Sequence, residues 1–121
     1  MALAVDRYEL GQIGTNCYVV RTERGAPELV VVDPGDDAAT LRLELARTDG
    51  AVAAILVTHT HYDHIGAVAD LAEATGAPVY VSETEAQVVA NPDAFYPAMG
   101  IRPWQPEHEL ARNPFLAELR A

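Results

Sequence analysis

Residues 58–64 carry most of the chemistry that this sequence can offer. They include three of the four histidines in the chain and one carboxylate, in the order Thr58-His59-Thr60-His61-Tyr62-Asp63-His64. Neutral imidazole nitrogens and carboxylate oxygens are the ligands that a borderline-soft divalent metal ion prefers. At average residue frequencies, the pattern His-x-His-x-Asp-His occurs by chance in fewer than about one chain of this length in ten thousand. We therefore interpret residues 58–64 as a metal site.

The spacing of these side chains indicates how they divide between two ions. Residues two apart in an extended loop point the same way, so His59 and His61 can bind one ion together. Asp63 and His64 can bind a second ion, and Asp63 is also the candidate catalytic residue. Two neighbouring ions that share a water lower its pKa to about 7 and polarise the carbonyl or phosphoryl group under attack. The reaction class that this pattern indicates is hydrolysis.

The number of ligands is the difficulty with a two-metal site. A catalytic zinc normally has three protein ligands, so further side chains have to come from elsewhere. His108 is the one histidine outside residues 58–64, and it is a possible extra ligand. Its place between Glu107 and Glu109 is, however, typical of a surface histidine.

A strand and a helix must hold this loop in place. The apolar run at residues 51–57 predicts a buried strand, and residues 65–75 predict the helix that follows the loop. A loop between a strand and a helix lies at the carboxyl edge of a sheet, where side chains converge. Asp33 follows another predicted strand, at residues 28–32. It is therefore either a plain turn residue before Pro34 or part of the same site.

The first half of the chain predicts the remaining strands of a mixed α/β fold. Strands at residues 5–10 and 16–21 are rich in valine and tyrosine and precede the strand that ends before Asp33. A helix capped by Asp36 or Asp37 should then extend to about residue 48.

Beyond residue 75 the sequence becomes less regular. A short strand at residues 79–81 leads into Ser-Glu-Thr-Glu at 82–85, which is typical of a capping box that opens a helix to about residue 90. Four prolines then fall within residues 92–106 and rule out regular structure over most of that stretch.

Composition narrows the function classes. With 121 residues and a net charge of −10, the chain predicts one domain, 1–121, that phosphate backbones and anionic membranes repel. We therefore expect no nucleic-acid partner and no membrane association. All eight basic residues are arginines, which excludes Schiff-base and P-loop lysines, and the single serine, Ser82, lacks the context of a nucleophile elbow. Of the catalytic chemistries considered, the composition leaves metal-dependent catalysis.

The location that the sequence predicts is cytoplasmic. The longest apolar run has seven residues, and the first ten residues carry three charges where a signal peptide is apolar. The single cysteine, Cys17, fits a reducing compartment. Its apolar strand context favours a core residue over a reactive thiol.

Three segments carry a resemblance to a known family. Residues 15–20 (Thr-Asn-Cys-Tyr-Val-Val), 31–35 (Val-Val-Asp-Pro-Gly) and 58–66 together resemble the opening half of the metallo-β-lactamase superfamily. The likeness is greatest to its short glyoxalase-II-like (hydroxyacylglutathione hydrolase-like) members. The resemblance implies the first half of an αββα sandwich, with one mixed sheet and helices packed on one face.

The same resemblance implies roles for the site residues. One or two metal ions, usually zinc with iron or manganese left open, would bind His59 and His61 at the first position and Asp63 and His64 at the second. Asp33 would support residues 58–64, the metal loop, by contacting the ligands without binding the ion itself.

Other elements of the family do not occur in this chain. The later histidine and aspartate motifs are absent, yet residues 113–116 resemble the end of the short members. This predicts an internal deletion, with a seam between residues 98 and 106, that removes most of the second sheet. The apolar inner face of the first sheet would then have no partner within the chain, so we expect a homo-oligomer.

Two functions follow from the resemblance and the incomplete ligand set. The first is a metal-dependent hydrolase of the glyoxalase-II type, in which water activated by zinc attacks a thioester such as an acylglutathione. The second is a catalytically impaired remnant that binds at most one metal and acts through self-association or a partner. Between them lies a site shared by two chains, in which His108 or a carboxylate of one chain completes the site of the other.

Overall fold

The fold is a five-stranded mixed sheet, and the computed structural model describes residues 3–48 and 50–107 of it. The strands lie side by side in chain order: β1 Ala4–Leu10, β2 Thr15–Arg21, β3 Glu28–Val32, β4 Ala51–Val57 and β5 Val79–Val81. β2 pairs antiparallel with β1 and β3, whereas β4 pairs parallel with β3 and β5. The parallel pair brings the carboxyl ends of β3 and β4 together, with Val32 opposite Leu56. The mixed α/β fold predicted from the sequence is confirmed.

One face of the sheet carries the main core. Alternate residues of the strands point into it, as the pleat requires, and they pack against buried leucines of the helices. Cys17 is 0% exposed in this core, as its strand context predicted. Burial, with a smaller contribution from the negative charge of Asp33, raises the pKa of the Cys17 thiol to about 12. Thiolate chemistry at neutral pH is therefore excluded for Cys17.

The opposite face of the sheet carries a smaller apolar cluster. Its members all belong to strands β3, β4 and β5: Val30, Val32, Ala54, Leu56 and Tyr80. No helix in the described part of the chain contributes to this cluster.

In the part of the chain that the structure describes, four helices accompany the sheet: α1 Ala38–Ala46, α2 Tyr62–Ile65, α3 Val68–Thr75 and α4 Ala86–Ala90. The predicted cap of α1 is Asp37, whose carboxylate accepts a hydrogen bond from the Thr40 amide at 3.3 Å. Leu41 and Leu45 are the buried residues of α1, in agreement with the spacing of its apolar positions.

The single helix predicted at residues 65–75 is wrong, because α2 and α3 are separated at Gly66 and Ala67. The Ala67 amide donates to the carbonyl of Pro34 at 3.0 Å. This contact with the segment after β3 replaces a bond within the helix and interrupts it. The helix also starts earlier than predicted, at Tyr62, so the last two candidate ligands lie on α2.

The capping box predicted at residues 82–85 is also wrong. Residues Glu83–Glu85 form a 3₁₀ turn before α4, and the Ser82 side chain makes no capping hydrogen bond. The Glu85 carboxylate contacts Thr60 of the metal loop instead of the main chain of Ser82.

The proline-rich segment, residues 92–106, follows α4. Apart from the 3₁₀ turn Pro92–Ala94, residues 92–106 contain no helix or strand. The C-terminal end of the segment is attached to the rest of the fold, since the Trp104 amide donates to the carbonyl of Val89 and the Glu107 amide to that of Val79. His108 and the 113–116 match lie outside the described residues, and the internal deletion stays a prediction.

No helix among residues 3–48 and 50–107 is long and apolar enough to cross a membrane.

Candidate metal centre

The metal loop lies at the carboxyl edge of the sheet, where the sequence placed it. It begins after β4 and ends in α2, for which His61 is the residue before the first turn. The neighbouring parallel strand β3 ends beside it, because the Asp33 amide donates to the carbonyl of Leu56 at 2.9 Å. Two segments that are distant in the chain, 33–35 and 58–64, therefore form one site.

Asp33 holds the base of this site. Its side chain is buried, with 4% of the residue exposed, and its main chain has a positive φ of 55°. One carboxylate oxygen accepts the Thr58 amide at 2.7 Å, and the other accepts the Thr58 hydroxyl at 2.5 Å and contacts His64 Nδ1 at 3.0 Å. A carboxylate only accepts hydrogen bonds, so His64 Nδ1 carries the proton and Nε2 is left available for a metal ion.

Thr58 extends the same arrangement to His59. The Thr58 hydroxyl lies 3.1 Å from His59 Nδ1. Because its single proton goes to Asp33, the hydroxyl oxygen accepts from His59 Nδ1, and Nε2 of His59 is also left available. The rings of His59 and His64 lie with their centroids 3.8 Å apart. Asp33 thus orients the imidazole of His64 directly and that of His59 through Thr58.

Asp63 faces His64 at the start of α2. Its Oδ2 lies 3.6 Å from His64 Nε2 and accepts a hydrogen bond from the Thr15 hydroxyl at 3.1 Å. Ligands of a tetrahedral zinc ion, with bonds of about 2.1 Å, lie about 3.4 Å apart. The separation of the two atoms therefore fits binding of one ion. Thr15 was missed as a site residue, although it opens the 15–20 segment that carries the family resemblance.

His61 lies beside His59, with ring centroids 4.9 Å apart in an edge-on arrangement. Among the described residues, the group whose potential ligand atoms all lie within 4.8 Å of one another consists of Asp33, His59 and His64. The structure thus brings together two of the predicted ligands and the predicted supporting aspartate. His61 and Asp63 each adjoin one member of that group without belonging to it.

Thr60 anchors the loop between these two histidines. Its amide and hydroxyl donate to Glu85 Oε1 at 3.2 and 2.9 Å, and its carbonyl accepts from the Tyr96 hydroxyl at 2.8 Å. The hydrogen bonds from Thr60 hold the pKa of Glu85 below its usual value, against the opposing effect of partial burial. Sequence reasoning missed Glu85 and Tyr96, since the first matched a local capping pattern and the second lay in an irregular segment.

Two glycines allow the segment after β3 to lie directly against α2. A Cβ atom at Gly35 would lie 1.8 Å from the carbonyl oxygen of Asp63, and one at Gly66 would lie 2.3 Å from the carbonyl oxygen of Gly35. Both contacts involve main-chain atoms, which cannot rotate away. Close main-chain packing therefore sets how near Asp33 comes to His64.

A divalent metal ion fits the donor set. The available atoms are imidazole nitrogens and a carboxylate oxygen, the ligand types typical of zinc and also suited to iron. The hydrogen bond that Asp33 accepts from His64 Nδ1 fixes the ring orientation that a metal-binding histidine needs. An open cavity of about 210 Å³ reaches Asp63, and its apolar lining is formed mainly by these residues: Leu10, Ile13, Tyr62, Met99 and Ile101. A small molecule in this cavity would lie next to the site.

Comparison with known proteins agrees with these features. The sequence model of the metallo-beta-lactamase superfamily matches residues 10–117. The chain is 52% identical over 50 residues to a hydroxyacylglutathione hydrolase of Pseudomonas entomophila, a match that covers 41% of this chain and 19% of the relative.

Solved structures show the same fold. BLEG-1, a B3 metallo-beta-lactamase, is 35% identical with a TM-score of 0.70, and the match covers 85% of this chain and 49% of that one. TTHA1623, solved in a di-iron-bound form, is 33% identical with a TM-score of 0.67, and the match covers 86% of this chain and 51% of that one.

The matched proteins are longer than this chain. The chain spans 40% of the length of uncharacterised mycobacterial relatives and about half of the two solved structures. The family model nevertheless covers most of its residues, including the whole metal loop and Asp33. The chain belongs to the metallo-beta-lactamase superfamily.

Proposed function

We propose that this chain supplies the metal-binding half of a hydrolase that acts on a thioester such as an acylglutathione. The observation that carries the proposal is the orientation of His59 and His64 by Asp33, with Asp63 Oδ2 3.6 Å from His64 Nε2. His59 and His61 would hold one ion, and Asp63 and His64 a second or the same one. A bound ion of this kind acidifies water and polarises a carbonyl group.

The residues of the chain have separate tasks in this proposal. Asp33 keeps the proton on Nδ1 of His64, and the Thr58 hydroxyl, which donates to Asp33, keeps the proton on Nδ1 of His59, so that both Nε2 atoms are left for the ion. Thr15 holds the Asp63 carboxylate in one orientation through its hydroxyl. The cavity beside Asp63 receives the apolar part of the substrate and excludes water from around it.

The substrate class rests on the relatives. The hydroxyacylglutathione hydrolase match supports a thioester, whereas the likeness to BLEG-1 supports a β-lactam as the alternative. Both substrates present a carbonyl carbon to a nucleophilic water, so the same site chemistry serves either. The metal proposed is zinc, and the di-iron form of TTHA1623 supports iron as the alternative.

Metal content tests this proposal. Purified protein should contain one or two equivalents of zinc or iron by elemental analysis, and the His59→Ala/His61→Ala variant should lose at least one, because both imidazoles disappear. Thioesterase assays with an acylglutathione, and with a β-lactam for comparison, then assign the substrate. A metal content equal to that of the double variant would contradict metal-dependent hydrolysis.

The second candidate function is a remnant that acts through self-association, and it rests on Val32 and Leu56, the half-buried members of the apolar cluster on the far face of the sheet. The other three members, Val30, Ala54 and Tyr80, are at most 6% exposed. We expect light scattering to show a dimer or larger species whose population rises with protein concentration. Leu56→Glu should shift the protein towards monomer, because Leu56 belongs to this cluster. Leu43→Glu is the matched control, since Leu43 is 67% exposed on α1. A monomer at all concentrations would argue against this candidate.

A further inference from the structure

Thr60 has an unusual position for a loop residue. It lies between His59 and His61, yet it is only 5% exposed. Buried main-chain and hydroxyl groups need hydrogen-bond partners, and each unpaired group costs about 1–3 kcal/mol. The structure gives partners to all three polar groups of Thr60, and each partner lies at least 25 positions away in the chain.

Glu85 supplies two of these three contacts. Its Oε1 accepts both the amide and the hydroxyl of Thr60. In a capping box the same carboxylate would bond to the main chain of Ser82, but the turn at Glu83–Glu85 has no such cap. The other oxygen, Oε2, accepts from the Ser82 hydroxyl at 3.4 Å, so Glu85 connects its own turn to Thr60.

Tyr96 supplies the third contact from the irregular segment. Its hydroxyl donates to the Thr60 carbonyl at 2.8 Å, and its own amide donates to Pro92 at 2.7 Å. Its ring packs edge-on against that of Tyr62, with centroids 6.1 Å apart. Tyr96 is therefore fixed at both ends, and it holds a residue that directly precedes His61.

We propose that Glu85 and Tyr96 are positioning residues for the metal site, which fix the Thr60 main chain and thereby set the relative placement of His59 and His61. This inference rests on the proposed function, because it takes both histidines as metal ligands. Side chains alternate along extended backbone, so contacts on the Thr60 side hold the main chain while the two imidazoles point elsewhere. Neither Glu85 nor Tyr96 is expected to bind the ion.

Metal affinity in four variants tests the proposal. Glu85→Ala should lower the affinity for Co²⁺ or Zn²⁺ about tenfold, as loss of a supporting hydrogen bond typically does, and change the visible spectrum of the Co²⁺ form. Glu85→Gln should restore both, because its amide oxygen can accept the same two bonds. Tyr96→Phe should lower the affinity in the same direction. Glu83→Ala is the control, since Glu83 is an exposed residue of the same turn.

Amide hydrogen exchange of the metal-free protein separates this inference from the proposed function. The Thr60 amide should exchange slowly in the wild type and in Glu85→Gln, and faster in Glu85→Ala. If the wild type binds no metal, the hydrolase proposal fails, while faster exchange in Glu85→Ala still supports the hold on Thr60. Exchange and affinity in Glu85→Ala equal to those of Glu83→Ala would overturn the inference, and so would failure of Glu85→Gln to restore them.

Discussion

Replacing Asp33 with alanine is expected to destabilise the fold by about 2–4 kcal/mol and to lower metal affinity at least tenfold. The substitution removes three hydrogen bonds together, because the Asp33 carboxylate accepts from the Thr58 amide, the Thr58 hydroxyl and His64 Nδ1. Asp33 itself is only 4% exposed, so water replaces the lost carboxylate poorly. Urea denaturation gives the free energy of unfolding, and competition with a coloured chelator gives the affinity.

Asp33→Asn separates the charge and acceptor roles from the backbone role. Asparagine tolerates the positive φ at this position and keeps one acceptor oxygen, but its amide group turns a donor towards Thr58 or His64. We expect a stability between those of the wild type and Asp33→Ala, with metal affinity still reduced. If Asp33→Ala matched the wild type in both measurements, Asp33 would be a plain turn residue after all.

Gly35→Ala is expected to destabilise the protein by at least about 3 kcal/mol, at the upper end of overpacking effects. The new methyl group would lie 1.8 Å from the carbonyl oxygen of Asp63, so the segment after β3 and helix α2 must move apart. That movement separates Asp33 from His64, and metal affinity should fall together with stability. Thermal unfolding and metal titration measure the two effects.

Gly25→Ala is the matched control for a glycine with open space around it. No atom lies within 4 Å of a Cβ at that position, and its φ of +81° leaves only conformational strain, about 1–2 kcal/mol. Metal affinity should be unchanged, because the turn at Gly25 is remote from the site. A Gly35→Ala variant no less stable than Gly25→Ala would show that the close approach of the two main chains is not required.

The two candidate functions differ in how they treat the missing ligands. The described residues offer four candidate ligands, His59, His61, Asp63 and His64. At three protein ligands per catalytic zinc ion, four ligands suffice for one ion and not for two. A hydrolase needs more ligands from residues beyond these or from a second chain. A remnant needs none, and its contact surface would then include Val32 and Leu56, the half-buried residues on the far face of the sheet.

Much of the fold followed from local patterns in the chain. The five strands follow from apolar runs and from residues typical of strands, and the burial of Leu41 and Leu45 follows from helical spacing. Such patterns act over a few positions of the chain. The metal loop was recognisable for a similar reason, since its ligands lie within six positions of one another. The choice of Asp33 between turn and site was left open.

Contacts between distant segments account for the features of the fold and the site that the sequence did not predict. At the break between α2 and α3 the Ala67 amide bonds to Pro34, and the Glu85 carboxylate bonds to Thr60. A local pattern contains neither contact. Thr15, Glu85 and Tyr96 entered the site through hydrogen bonds that span 25 to 48 positions. Polar side chains satisfy whichever buried group the folded chain brings to them, so their partners depend on the packing of the sheet and helices.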